Sequence, residues 1–137
     1  MIRLCCLLSL FLATNVAFSK DKTSYSLAAT AGDFIFVSGQ VPIDPLTGTM
    51  IEGDIETQTN QAIDNLQHIL RMNGADLNKV VSTVVYLTDI RDYDAMNEVY
   101  KQRFHDKHPP ARDVAAVSDL LYNARIEISC IAYKKNH

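Results

Sequence analysis

Two residues near the C-terminus carry complementary chemistry. Arg112 follows the turn Pro109-Pro110-Ala111, and Glu127 stands at the centre of Ile126-Glu127-Ile128. A guanidinium is a planar, two-pronged donor that matches a carboxylate. A carboxylic group can take a proton from water or give one to a leaving group. A carboxylate inside an otherwise apolar strand breaks local consistency, and such breaches mark sites of function. The plain alternative is a half-buried strand whose Glu127 side faces solvent. Geometry bears on the choice. If the strands carrying the two residues pair as an antiparallel hairpin, partner positions have a constant sum. Arg112 and Glu127 then share a face only when that sum is odd. An even sum leaves strand twist or separate subunits as the only ways to one substrate.

The elements that must position them are readable in order. Tyr25 to Thr30 is a short strand, and Ala31-Gly32-Asp33 a turn. Phe34 to Ser38 is a strand rich in β-formers, ended by Gly39-Gln40. Pro42 to Gly48 is a loop, and Thr49 to Ile51 a brief return strand. Asp54 is placed to cap a helix whose Ala62, Ile63, Leu66, Ile69 and Leu70 form one stripe, with Asn73-Gly74 as its end. A turn over Asp76 to Lys79 leads to Val80 to Leu87, β-branched almost throughout. Asp92 is placed to cap a second helix, with Tyr93, Met96, Asn97, Tyr100 and Phe104 near one face and Pro109-Pro110 as its stop. Residues 112–117 and 125–133 are the last strands. The order β-β-α-β-α-β-β defines a single α+β domain with two helices on one face of a sheet.

Several strands are apolar at both parities. Phe34 and Phe36 oppose Ile35 and Val37, and Ile126 and Ile128 oppose Ile131 and Tyr133. Two helices cover one face, and no segment remains for the other. A partly wet face or a second copy must do so. A homo-oligomer is therefore expected, with Glu127 turned away from Ile126 and Ile128, toward the subunit interface.

The 137 residues leave room for one domain. Residues 1–19 read as a signal peptide: Arg3 gives a basic start, Leu4 to Ala17 is nearly all apolar, and Ala17-Phe18-Ser19 suits cleavage after Ser19. The apolar run is shorter than the roughly 20 residues of a membrane span, so no stable membrane association is expected after cleavage. Residues 20–137 form the domain. The implied location is exported, periplasmic or secreted, and cytoplasmic if the segment is not a working signal. Cleavage removes Arg3 and no acid, leaving 12 Lys+Arg against 16 Asp+Glu. That acidic balance, with scattered basic residues, argues against nucleic-acid binding. Cys130 alone remains and alternates with apolar neighbours as a buried small hydrophobe. His68, His105, His108 and His137 are dispersed, without metal-ligand spacing.

The stretches SGQVPIDPLTG, MNEVY, PAR and IEISCIA resemble the RidA/YjgF family of reactive-intermediate deaminases, also called the endoribonuclease L-PSP family. The resemblance spans about Tyr25 to Tyr133. It implies a chorismate-mutase-like homotrimer, with two helices on one face of a six-stranded sheet and active sites in the clefts between subunits. It implies hydrolysis of 2-iminobutyrate or 2-iminopropionate (from 2-aminoacrylate) to a 2-ketoacid and ammonia, with no cofactor and no metal. By position, Arg112 matches the substrate-carboxylate arginine and Glu127 the acidic residue of the last strand. Arg112 and Glu127 are thus the catalytic pair, and Tyr25, Ser38, Gly39 and Asn97 join Arg112 in binding substrate; Ser26 matches the serine beside the tyrosine.

The chain departs from the family pattern at several points. Thr23-Ser24 stand where Gly-Pro is usual, Leu27 where Gln is usual, and Asp113-Val114 where Ser or Thr and often Cys follow the arginine. If Asp113 faced the pocket it would compete with substrate for Arg112; alternation along the strand points it to the opposite face. Two other readings stand beside the deaminase: a non-catalytic binding module for small carboxylates or amino acids, and an RNA-cleaving or translation-inhibiting relative.

Overall fold

The structure, a computed structural model, describes residues 24–134. The signal-peptide reading of residues 1–19 lies outside them. The strands are β1 (Ala28–Ala31), β2 (Phe34–Gln40), β3 (Val80–Leu87), β4 (Ala111–Ala116) and β5 (Ile126–Tyr133), and the helices are α1 (Ile55–Met72) and α2 (Tyr93–Arg103). They follow one another in the order β-β-α-β-α-β-β read from the sequence. In the sheet the order is β1-β2-β5-β3-β4. Only β3 and β4 run parallel; the other neighbours are antiparallel. Among the described residues the sheet has five strands, where the resemblance implies six. The return strand placed at Thr49–Ile51 shrinks to a single bridge between Ile43 and Met50.

Local signals account for most boundaries. Asp54 accepts hydrogen bonds from the Thr57 amide at 2.8 Å and the Thr57 hydroxyl at 2.6 Å, starting α1. Gly74, at φ +80°, ends it in the left-handed region that favours glycine. Asp92 differs from its expected role. It stands at the N-cap of α2 but binds no helix amide. A 3-10 turn over Ile90–Asp92 runs straight into α2 and holds Asp92 in helical backbone, φ −77° and ψ −6°. A capping side chain needs extended backbone there. The Asp92 carboxylate instead receives the Arg125 guanidinium at 2.7 and 3.2 Å, while Asp89 caps the 3-10 turn.

Both helices pack on one face of the sheet. Ile63, Leu66 and Leu70 of α1 and Met96 of α2 close over Ile35, Val85, Leu87, Ile126 and Ile128, all fully buried. Among the described residues, none covers the other face. Phe34 and Phe36 remain 45% and 44% exposed there, with the Tyr133 ring 5.6 Å from that of Phe34. Val81 and Tyr86 are exposed large apolar side chains as well. This is the uncovered face expected from the double-parity strands.

Candidate functional site

The two catalytic candidates lie on opposite faces of the sheet. Arg112 of β4 stands level with Thr83 of β3, which stands level with Cys130 of β5. Thr83 is 1% exposed and faces the helices, so Arg112 does too. Glu127 stands level with Tyr86, on the uncovered face. The hairpin condition does not arise, because β4 and β5 are not neighbours: β3 lies between them. Within a single chain Arg112 and Glu127 therefore do not share a pocket. Each residue anchors its own cluster.

Arg112 lies along α2. Its Nη1 donates to Asn97 Oδ1 at 2.9 Å and its Nη2 to the Tyr93 hydroxyl at 3.1 Å. The guanidinium carbon sits 4.5 Å from the centroid of the Tyr100 ring and 5.7 Å from that of Tyr93. Residues 93, 97 and 100 are spaced four and three apart, so α2 presents them on one side. Tyr100 is fixed in turn by a 2.6 Å hydrogen bond between its hydroxyl and Thr83 Oγ1, and burial pushes that hydroxyl above its ordinary pKa. A cation over a partly desolvated ring is worth about 1 kcal/mol. Among the described residues no carboxylate pairs with Arg112. A cavity of about 430 Å³ opens beside it, lined by Tyr100, Lys101, Phe104, Pro109 and Pro110. Asn97, expected to touch substrate, is here a support for the guanidinium.

Glu127 rests on β2. Val37 pairs with Cys130 and Gln40 with Ile128, so Ser38 and Gly39 together face Ser129 alone. This β-bulge turns the end of β2 and lets the Glu127 side chain lie flat across Gly39. A Cβ at Gly39 would stand 2.6 Å from Glu127 Cδ and 2.9 Å from its Cγ, inside van der Waals contact. Ser38 is committed elsewhere than expected: its hydroxyl donates to the Ser26 carbonyl at 2.7 Å, and its amide to the Leu27 carbonyl at 3.0 Å. These bonds hold the segment before β1 against β2. Tyr25 and Leu27 thereby join Glu127, Gly39, Leu121 and Tyr122 around a groove of about 410 Å³. The expected residues Tyr25, Gly39 and Glu127 are thus brought together, with Ser38 as their tether.

Tyr93, Tyr100, Leu121 and Tyr122 were absent from the expected site. The tyrosines of α2 read as part of a packing stripe, although their spacing around Asn97 is also that of a cage for a cation. Leu121 and Tyr122 carry no spacing signal at all. Asp113 does not compete for Arg112 within the chain. It stands level with Val84, one step along β4 and on the uncovered face.

A sheet with a bare apolar face, two helices behind it, and a cation and a carboxyl on opposite sides define a class of small α+β domains. A family profile described as Endoribonuclease L-PSP matches residues 17–134, and the chain belongs to this family, the RidA/YjgF family. A RutC family protein of Pyrococcus abyssi is 49% identical over 111 residues, covering 81% of this chain and 87% of that protein. The human 2-iminobutanoate/2-iminopropanoate deaminase is 39% identical over 108 residues, 79% of this chain and 78% of its own. Among solved structures, a Thermotoga maritima chain superposes with a TM-score of 0.80 at 42% identity, covering 85% of this chain and 91% of its own. E. coli TdcF with bound serine gives 0.77 at 30% identity, covering 82% and 90%.

Proposed function

We propose that the protein is a 2-iminoacid deaminase whose centre is built by two copies, Arg112 from one and Glu127 from another, within a homotrimer. The opposed placement of the two residues carries the reading. Arg112 lies on the edge strand β4, held by two neutral partners and two rings, with no acid among the described residues spending its charge. Of the five N–H groups a guanidinium offers, Asn97 and Tyr93 take two, and the remainder are free to fork onto a carboxylate. Glu127 lies on the bare face beside Tyr86, with Phe36 exposed further along the same face, the surface a second copy would cover.

The reaction suits the parts. Arg112 fixes the substrate carboxylate. Water adds to the C=N carbon as Glu127 takes one of its protons and passes it to the imine nitrogen, giving an amine on a tetrahedral carbon. Glu127 then takes the proton of the new C–OH group and delivers it to that nitrogen as the C–N bond breaks and the C=O bond forms. The balance is R–C(=NH)–COO⁻ plus water giving R–C(=O)–COO⁻ plus ammonia, with no cofactor. The human relative's name supports 2-iminobutanoate and 2-iminopropanoate as substrates of this type. Ammonia release from freshly generated 2-iminobutanoate tests the reading. Glu127→Ala is expected to lose about 10²–10⁴-fold in rate, the usual worth of a positioned proton carrier; an unchanged rate refutes the assignment.

A second reading, a non-catalytic module for amino acids or small carboxylates, is favoured by the serine bound to TdcF. It predicts binding that is lost in Arg112→Ala, without ammonia release from the wild type. RNA cleavage, the activity in the family profile's description, finds little support in a chain of net charge −3. Export follows from residues 1–19 as part of the same proposal, and sequencing the mature N-terminus tests it.

A further inference from the structure

Arg125 is a junction of three elements. Its carbonyl accepts from the Thr88 amide at 3.1 Å, just past the end of β3. Its amide donates at 3.0 Å to Oε1 of Gln58, a buried residue of α1. Its guanidinium forks onto the Asp92 carboxylate at the head of α2, at 2.7 and 3.2 Å. Two planar groups joined by two parallel bonds fix an orientation as well as a distance.

This junction lies between the two half-centres. Tyr93 follows Asp92 in sequence, and its hydroxyl accepts from Arg112 Nη2 at 3.1 Å. Glu127 follows Arg125 by two positions, on β5. The path from Arg112 to Glu127 is thus a hydrogen bond, a peptide link, a forked ion pair and a short step of chain. Of the ion pairs among the described residues, this one alone joins the segment of Glu127 to α2. Arg103 and Asp64 join the two helices to each other, and the remaining pairs close within local stretches.

Stability does not account for the pair. Asp92 stands at the N-cap of α2 and makes no cap bond, although its residue type favours one. Its side chain is 13% exposed, while that of Arg125 is 41% exposed. An ion pair reached by water adds little to a fold. What a forked pair supplies at such a place is register: it holds the head of α2 at one position relative to the start of β5.

We infer that Asp92 and Arg125 are positioning residues, and that this one pair sets both Arg112 and Glu127. The inference rests on the shared-centre reading above and adds the device that aligns it. Asp92 acts through Tyr93 on the carboxylate clamp, and Arg125 acts through β5 on the proton carrier. Because Arg112 and Glu127 of one chain serve different centres, the pair also keeps neighbouring centres in step.

The test uses mixed assemblies of Arg112→Ala and Glu127→Ala chains, with 2-iminobutanoate as substrate. Every working centre there takes its arginine from the Glu127→Ala chain and its carboxyl from the Arg112→Ala chain. Asp92→Asn is added to one chain at a time. On the chain that supplies the arginine it should raise KM by about tenfold with kcat held, since the clamp alone loosens. On the chain that supplies the carboxyl it should lower kcat by about tenfold to a hundredfold with KM held, the cost of misplacing a reacting group by up to about 1 Å. Arg125→Lys keeps the charge and loses the fork. It should repeat the division at smaller size, and it decides the matter if Asp92→Asn fails to assemble. KM and kcat unchanged in both placements, even with a lowered Tm, overturn the inference and leave the shared centre standing. The same change from either placement, or an effect from one placement alone, overturns it too. No activity in the parent mixture removes the shared centre and this inference with it.

Discussion

Gly39 lies so close beneath the Glu127 side chain that one added methyl group would stand 2.6 Å from its carboxyl carbon. The contact is made possible by the bulge at Ser38-Gly39, which sets two residues of β2 against one of β5. Gly39→Ala must therefore push Glu127 out of its place. A displacement of about 1 Å in a reacting group can cost about 10²-fold in rate, and a loss of that order in kcat is expected. The displaced group is the end of a flexible side chain, so Gly39→Ala should cost little stability, and adding Glu127→Ala should remove the remaining activity. Thermal unfolding and ammonia release, measured on the single and double variants, check both halves.

Arg112→Lys keeps the charge and loses the fork. Asn97 and Tyr93 are spaced for two nitrogens of one planar group, at 2.9 and 3.1 Å, and a single ammonium cannot serve both and also a carboxylate. An increase in KM of about tenfold to a hundredfold is expected, the worth of one charge-assisted bond of about 1.5–3 kcal/mol. Steady-state kinetics on 2-iminobutanoate reads it out.

Mixing two inactive variants tests the shared centre. Arg112→Ala and Glu127→Ala should each be nearly inactive alone. Refolded together at equal amounts, random assembly gives about one quarter of the sites both native groups, since each site draws its arginine and its carboxyl from different copies. Recovered activity near that fraction is the expected result. No recovery from well-formed mixed assemblies would place the two groups in separate functions.

Tyr100→Phe removes the hydroxyl that meets Thr83 Oγ1 at 2.6 Å. Thr83 is buried, so its hydroxyl is left without that partner, at about 1–3 kcal/mol of stability. The ring beneath Arg112 remains. Chemical denaturation should show the loss, with substrate affinity little changed.

Cys130 should resist alkylation in the native protein. Burial pushes its thiol from the ordinary 9.0 up to about 12, so the reactive thiolate is scarce at pH 8. Because the folded value is the higher one, this group supports the fold fully below about pH 9. That support declines as pH climbs toward 12. Peptide mass spectrometry after iodoacetamide, with and without denaturant, checks the protection.

The elements were legible because each advertises itself locally. Val80 to Leu87 is a run of β-formers, and α1 has both an apolar stripe and terminal signals at Asp54 and Gly74. The alternation of β5 placed Glu127 on the correct face. Which strand lies between Arg112 and Glu127 was not legible. Parallel pairing of β4 with β3 is a long-range choice made when α2 folds back on the sheet, and parity along either strand is silent about it. Asp92 misled because composition favours a cap while the preceding 3-10 turn fixes its backbone. Tyr93 and Tyr100 were hidden for a different reason: an aromatic that supports a cation from one side and fills a core from the other has the same spacing in both roles. The closeness of Gly39 to Glu127 depends on a bulge, which moves the register without leaving a mark in the hydrophobic pattern.

The opposed faces of Arg112 and Glu127 have one more consequence. With the centre shared between copies as proposed, a lone chain owns half of two different centres and the whole of none. Catalytic power then becomes a property of concentration as well as of sequence. On refolding, fluorescence would report the folded monomer first, and turnover would follow after a lag that shortens as more chains are present. Diluted far enough, a fully folded population would fall silent without unfolding.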